Sequence, residues 1–254
     1  MKKLLIASAG IVLMAAPVAA QDIKLGVILG YTGPIESIAK DMAPAAELAM
    51  KEVNAAGGIL GKRMVKPVRG DSTCTDSAAA TATTERLITS DKINAIVGGD
   101  CSGVTTAMLK NVAMAKGIVM ISPSATSPAL STLPDNGLFF RTAPSDARQG
   151  QIVAAVLKDR GFKSAALTYT NNDYGKGLAE SIKANFVKVG GKITISAALE
   201  DGKADYSAEV GALAAAGGDI LSVAGYLDQG GKGVIQAALD SGAFSKFVLP
   251  DGMV

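Results

Sequence analysis

The sequence predicts an α/β protein made of two doubly wound lobes. Three observations carry this. Short apolar runs of strand length alternate with longer stretches of helical character. Most apolar runs exit into a polar turn rich in Gly, Ser, Asn or Asp. The alternation recurs on both sides of about residue 142, as a pattern and not as a repeat of residues. Strand, helix and strand in succession favour parallel βαβ units with crossover connections. The lobes are expected over 21–142 and 143–254, with the passage between them near Arg141 to Pro144.

The elements follow in order. Residues 1–20 carry Met1-Lys2-Lys3, an apolar run from Leu4 to Ala16, then Pro17-Val18-Ala19-Ala20. Small residues at Val18 and Ala20 mark a secretory signal peptide cleaved after Ala20. The apolar run is too short to span a membrane, and no Cys near the cleavage point suggests a lipid anchor. The expected location is a bacterial periplasm. Ile23 to Leu29 is a strand, followed by the loop Gly30 to Pro34 and a helix to about Ala56. Met64 to Arg69 is a short strand that exits through Asp71-Ser72-Thr73-Cys74, and Ser77 to Thr89 is a helix. Ile93 to Val97 is a strand. The turn Gly98 to Gly103 leads from it into a helix ending at Lys116, with Gly117 as its C-cap. Ile118 to Ile121 is a strand that exits through Ser122-Pro123-Ser124-Ala125-Thr126-Ser127-Pro128. The chain is then irregular to Asn136-Gly137, and Leu138 to Thr142 is extended.

A second round opens at Ser145, which can cap a helix to Arg160. Ala165 to Thr170 is a strand, and Asn171 to Gly175 turns into a helix ending near Gly190. Ile193 to Ala197 is a strand. Asp205 or Ser207 caps a helix to Ala216. Ile220 to Ala224 is a strand, and Gly225-Tyr226-Leu227-Asp228 turns into a helix ending at Gly242. Phe247 to Leu249 is a last strand, with Pro250-Asp251-Gly252 at its exit. The chain stops just past that exit, and a C-terminally truncated second lobe is expected.

Composition closes off several functions. Without Lys2 and Lys3 the basic and acidic residues balance, so no net positive charge points to nucleic acid or an anionic membrane. No His is present, which rules out Ser-His-Asp and Cys-His nucleophile arrangements. Ser37-Ile38-Ala39-Lys40 lacks the partner motifs of a serine acyl-enzyme. Gly61-Lys62 lacks the first Gly and the Ser/Thr of a phosphate loop. No glycine fingerprint follows the first strand, so no dinucleotide or other cofactor is implied. Cys74 and Cys101, an even pair in an exported chain, suit a disulfide; free thiols or a metal pair are the alternatives. A zinc site would need carboxylates to complete its ligands.

What remains is polar chemistry at strand ends. In open α/β sheets, ligands sit outside the carboxyl ends of the strands. Ser102, Ser124 and Thr126 offer hydroxyls beside backbone N–H groups, which suits a small anion such as a carboxylate. The plainer reading is that such residues cap helices and make turns. Tyr174 and Tyr226, two of only five tyrosines, lie in strand-to-helix turns of the second half. Each offers flat apolar area and a hydroxyl, or packs as a rim residue on its own lobe. Asp251 could pair with an ammonium group, or serve the turn after Pro250.

These residues resemble the periplasmic branched-chain amino acid binding proteins, the type I solute receptors of ABC importers. The resemblance rests on the signal peptide, Asp22-Ile23-Lys24-Leu25-Gly26, Gly33-Pro34 and Asn54-Ala55-Ala56-Gly57-Gly58-Ile59. It also rests on Cys101-Ser102, Ile121 to Pro128, Arg141-Thr142 and Asp173-Tyr174-Gly175. It implies the type I periplasmic binding protein fold, two lobes on a three-stranded hinge, a Cys74–Cys101 disulfide and no enzymatic activity. It implies a ligand set of Ser102, Ser124, Ala125, Thr126, Tyr174, Tyr226 and Asp251, with Asp251 taking the ammonium group. It further implies a monomer that delivers an amino acid to an ABC permease in the inner membrane. Two departures bear on specificity: Ile38 stands where leucine-binding relatives place an aromatic ring, and Asp251 where they have Glu. Related receptors bind short amides, urea or aromatic acids. A ligand-sensing receptor or regulator of the same fold is the alternative; an exported hydrolase is disfavoured by the absent His.

Overall fold

A computed structural model describes residues 21–253, so the expected signal peptide lies outside the described residues. Two parallel sheets organise the rest. The first holds β1 (Ile23–Leu29), β2 (Val65–Asp71), β3 (Ala95–Gly98), β4 (Met120–Ser122) and β5 (Phe139–Arg141), in the order β2-β1-β3-β4-β5. The second holds β6 (Ser164–Thr170), β7 (Lys192–Leu199), β8 (Ile220–Ala224) and β9 (Phe247–Val248), in the order β7-β6-β8-β9. Both sheets thus place their second strand outside their first and their third on the other side. This is a doubly wound order, and it leaves a crevice where the strand order reverses. Every strand pair is parallel.

The helices between strands are α1 (Glu36–Ala55), α2 (Ser77–Thr89), α3 (Ser102–Met108), α4 (Met114–Lys116), α5 (Asp146–Asp159), α6 (Asp173–Lys188), α7 (Ser207–Ala216) and α8 (Lys232–Asp240). All but the single turn α4 bury one stripe, as helical spacing requires. In α1 the buried residues are Ala39, Ala43 and Met50, which pack with Val27, Leu29 and Val65 of the first sheet. In α2 they are Ala80, Thr84 and Leu87. Asp76 caps α2, its carboxylate accepting from Ala78 N and Ala79 N, each at 2.9 Å. Ser145 caps α5 in the same way, accepting from Ala147 N at 3.2 Å. β8 is buried along its whole length, as an inner strand of a parallel sheet should be. The largest apolar cluster joins Ile28, Ile96, Met108 and Met120 of the first sheet region to Leu167, Leu178, Ile182 and Phe186 of the second.

Several boundaries depart from the sequence reading. The third and fourth strands begin two residues later than expected and run to Gly98 and Ser122. The helix to Lys116 is interrupted by a π turn at Leu109–Ala113 before Gly117 ends it in the left-handed conformation (φ 66°, ψ 30°). The irregular stretch after Pro128 holds a 3-10 turn, Pro128–Ser131. Ser207 opens α7 rather than capping it. Asp205 Oδ1 accepts from both Ser207 N (2.9 Å) and Ser207 Oγ (2.6 Å). The segment after Tyr226 is a π turn, Leu227–Gly231, broken by the non-helical backbone of Gln229 and Gly230 before α8 begins.

Candidate functional site

The chain crosses its carboxyl-end loops from both sheets at one place. Cys74, in the turn after β2, is bonded to Cys101 in the turn after β3, with their Cα atoms 5.2 Å apart. The loop they close is worth about 3–4 kcal/mol on the chain-entropy account. Asp100, next to Cys101, is buried. Its carboxylate accepts from Gly30 N (2.5 Å), Ser72 Oγ (3.1 Å) and Cys101 N (3.0 Å). Asp100 thereby ties together the exits of β1, β2 and β3. Burial pushes its carboxyl above the usual range, while these donors pull it back.

The exit of β4 is held just as closely. Ser122 Oγ donates to Gly99 O (2.5 Å) and accepts from Ala125 N (2.9 Å). Ser124 Oγ donates to Asp100 O (3.0 Å). Arg141 Nη1 donates to Ala125 O (3.1 Å) and Ser127 O (2.9 Å), and Asp146 N donates to Thr126 O (2.9 Å). Three successive carbonyls of the loop are thus fixed. The Thr126 N–H has no acceptor among the described residues.

From the second sheet come Tyr174 in the first turn of α6, Tyr226 after β8, and Asp251 after β9. The two rings stack with centroids 4.8 Å apart and planes inclined by 29°. The Tyr174 hydroxyl donates to Asp251 Oδ1 (2.5 Å) and accepts from Gly252 N (3.1 Å). Gln149 Nε2 of α5 donates to the same Asp251 oxygen (3.0 Å). Burial pushes both phenols well above their ordinary value, joined by the Asp251 carboxylate at Tyr174 and by Asp100 and then Asp251 at Tyr226. They therefore remain neutral donors at physiological pH. The Tyr226 hydroxyl makes no hydrogen bond among the described residues.

These side chains line one cavity of about 70 Å³: Ser124, Thr126, Tyr174, Tyr226 and Asp251, with Asp100 and Gly252, closed by Ile35, Ile38 and Met42 of the α1 side. Sequence reasoning named five of these as ligand residues and noted Ile38. It missed the wall formed by Ile35 and Met42, whose helical spacing is no different from that of an ordinary packed face. Ser102 and Ala125 do not line this cavity. Ser102 is buried and its Oγ accepts from Ser127 N (3.1 Å). The Ala125 N–H is taken by Ser122. Beyond Tyr226 a second, polar space of about 320 Å³ runs past Cys101, Asn172, Glu200 and Gln229. A larger cavity, about 570 Å³, lies among α3, α5 and α6 beside Lys110 and Lys176. Of the strand-end loops it touches only Ser127 and Pro128, and it gathers neither tyrosine nor Ser124, Thr126 or Asp251, so chemistry favours the small cavity over the large one.

Two doubly wound sheets whose carboxyl-end loops face one another across a small cavity define a ligand-binding protein of the two-lobed, cleft type. The family model described as "Periplasmic binding protein" matches residues 22–252, and the chain belongs to that family. An amino acid binding protein of Pseudomonas aeruginosa is 30% identical over 237 residues, covering 92% of this chain and 61% of the relative. The Leu/Ile/Val-binding protein homolog 3 of Brucella melitensis is 33% identical over 219 residues, 85% of this chain and 58% of the relative. Among solved structures, the substrate binding protein LivJ of Streptococcus pneumoniae, in complex with isoleucine, is 30% identical with a TM-score of 0.77. The match covers 91% of this chain and 64% of that one. An R. palustris solute binding protein in complex with 4-hydroxybenzoate shares the fold at 20% identity, with a TM-score of 0.78 over 92% of this chain and 62% of that one. The chain therefore spans about three fifths of the length of these relatives.

Proposed function

We propose that this chain is the ligand-binding part of a periplasmic receptor that hands an amino acid, or a similar small zwitterion, to an ABC permease in the inner membrane. The convergence of Ser124, Thr126, Tyr174, Tyr226 and Asp251 on one cavity between the two sheets carries this reading. The similarity to amino acid binding relatives supports the ligand class. The Thr126 N–H and hydroxyl take the carboxylate, joined by the Ser124 hydroxyl once it turns away from the Asp100 carbonyl to which it donates. Asp251 takes the ammonium group, and Tyr226 offers its hydroxyl. Ser102 acts through Ser127, by fixing the loop that carries Thr126, and Ala125 through its place in that loop. The protein binds and releases and does no covalent chemistry. It works as a monomer of two lobes, 21–142 and 143–254, exported by a signal peptide cleaved after Ala20.

A cavity of about 70 Å³ holds little more than two waters at roughly 30 Å³ each. Ligand pockets run to several hundred Å³. An amino acid therefore enters only when the lobes part and the Tyr174–Tyr226 stack moves off Ile35 and Met42. Closure then removes water and strengthens each polar contact. The test is a thermal-shift screen of the full-length protein against amino acids, short amides, urea and hydroxybenzoates. A rise in melting temperature with amino acids supports the reading. A rise confined to amides or aromatic acids replaces the ligand class, and turnover of any of them overturns the assignment as a binding protein.

A further inference from the structure

Behind Asp251 lies a group that the binding scheme leaves unused. Asp146, the first residue of α5, is 1% exposed, and neither carboxyl oxygen has a hydrogen-bond partner. The Thr126 hydroxyl is near it but closes no hydrogen bond of ordinary geometry. No cation pairs with it among the described residues, because the Arg141 guanidinium is spent on the carbonyls of Ala125 and Ser127 and on the Ser131 hydroxyl. An ionised carboxylate so placed would be costly. One turn on, Gln149 gives its Nε2 to Asp251, which leaves Gln149 Oε1 buried and also without a donor. Residues three apart on a helix are neighbours on its surface. One missing proton would therefore complete both orphans.

We propose that Asp146 is a positioning residue: it keeps a proton and donates it to Gln149 Oε1, which locks the Gln149 amide with Nε2 on Asp251. This inference rests on the reading above in giving Asp251 the ligand's ammonium group. The relay itself, Asp146 O–H to Gln149 Oε1 and Gln149 Nε2–H to Asp251 Oδ1, exists before any ligand arrives. The surroundings agree with a held proton. Burial pushes the Asp146 carboxyl up to about 7, with the Thr126 hydroxyl pulling down, the Asp251 carboxylate adding to the rise and Arg141 opposing it. Tyr174 and Tyr226, which also stand close, are neutral. Arg148, on α5 itself, turns outward to Gln151.

A carboxyl that binds its proton more tightly folded than unfolded loses stability as pH rises between the two values, roughly 4 and 7, and is level above them. The experiment uses the full-length, ligand-free protein, so failure of the amino acid reading cannot affect it. Melting temperature is followed from pH 5 to 8 for wild type, Asp146→Asn and Asp146→Ala. Asn carries a permanent donor in place of the proton. The expected result is that Asp146→Asn removes the part of the fall toward pH 7 that wild type shows, and at pH 8 melts no lower than wild type. Asp146→Ala melts below both. Infrared difference spectra between wild type and Asp146→Asn should show a protonated carboxyl band at pH 6 that fades as pH passes 7. An Asn variant as unstable as the Ala variant, with an unchanged pH slope, would overturn the proposal. If neither variant folds, Gln149→Leu decides: a wild-type protonated carboxyl band at pH 6 that this change shifts supports the relay, because the separate Asp100 carboxyl would not respond, and no band or an unmoved one overturns it.

Discussion

The hydroxyl of Tyr174 donates to Asp251 Oδ1 at 2.5 Å, across 77 residues of sequence. A tyrosine on α6 thus aims the acid that stands after the last strand of the same sheet. The bond has two consequences. It holds the 3-10 turn Asp251–Met253 against α6, helped by Gly252 N on the same hydroxyl. It also occupies one carboxylate oxygen, so a bound ammonium group meets an acid already fixed in direction.

Tyr174→Phe removes that donor and keeps the ring stack with Tyr226. A hydrogen bond to a charged group contributes about 1.5–3 kcal/mol. Amino acid affinity of the full-length protein should fall by roughly tenfold or more, at 1.4 kcal/mol per factor of ten. Titration calorimetry checks this, and an unchanged affinity would show that Gln149 alone orients Asp251.

The Cys74–Cys101 bond links the turns after β2 and β3 beside the cavity. Replacing both by Ser should lower unfolding free energy by about 3–4 kcal/mol if the bond acts through loop closure. Denaturant unfolding with and without reductant measures it. Reduction should destabilise wild type and leave the double variant unchanged.

These two tests touch features with different visibility in sequence. The order of strands and helices was legible because apolar period and turn chemistry are local. Ser77–Thr89 and Ile220–Ala224 are found where their patterns start and stop. The strand-end hydroxyls and tyrosines were legible because parallel sheets put their loops at one edge. The roles of Ser102 and Asp146 were not. Ser102 turns its hydroxyl to Ser127 N, and Asp146 reads as an ordinary first-turn acid. Which way a side chain points, and whether a partner reaches it, depends on loops that meet only in the folded chain. The π turns at Leu109–Ala113 and Leu227–Gly231 were illegible for a similar reason, since one extra residue in a turn leaves the apolar pattern almost intact.

Backbone approach near the cavity gives a third prediction. A Cβ on Gly225 would stand 1.8 Å from Thr170 Oγ1, the atom that accepts from Tyr226 N at 3.2 Å. Gly225→Ala must push Thr170 aside and release that N–H. Overpacking of this kind costs about 1–3 kcal/mol. Thermal unfolding should show the loss. Tyr226 fluorescence, against a Tyr226→Phe control, should show that its ring has moved. A variant as stable as wild type would mean that β6 and β8 yield at this point.

The assignment of Asp251 is tested by a ligand pair rather than by one ligand. Asp251→Ala removes the acid and strands the Tyr174 hydroxyl and Gln149 Nε2 that now point at it. Some loss is therefore expected for any ligand that fills the cavity, because lobe closure is disturbed. The part due to the ammonium group is the difference between an amino acid and the same molecule without its amine. Asp251 is exposed in this structure, and a hydrogen bond to a charged group contributes about 1.5–3 kcal/mol. Affinity for the amino acid should fall by at least about tenfold more than affinity for the amine-free acid. Equal losses would mean that Asp251 serves only to brace Tyr174, and the ammonium group would have to be met elsewhere in the cavity, with Asp100 the remaining acid on its wall.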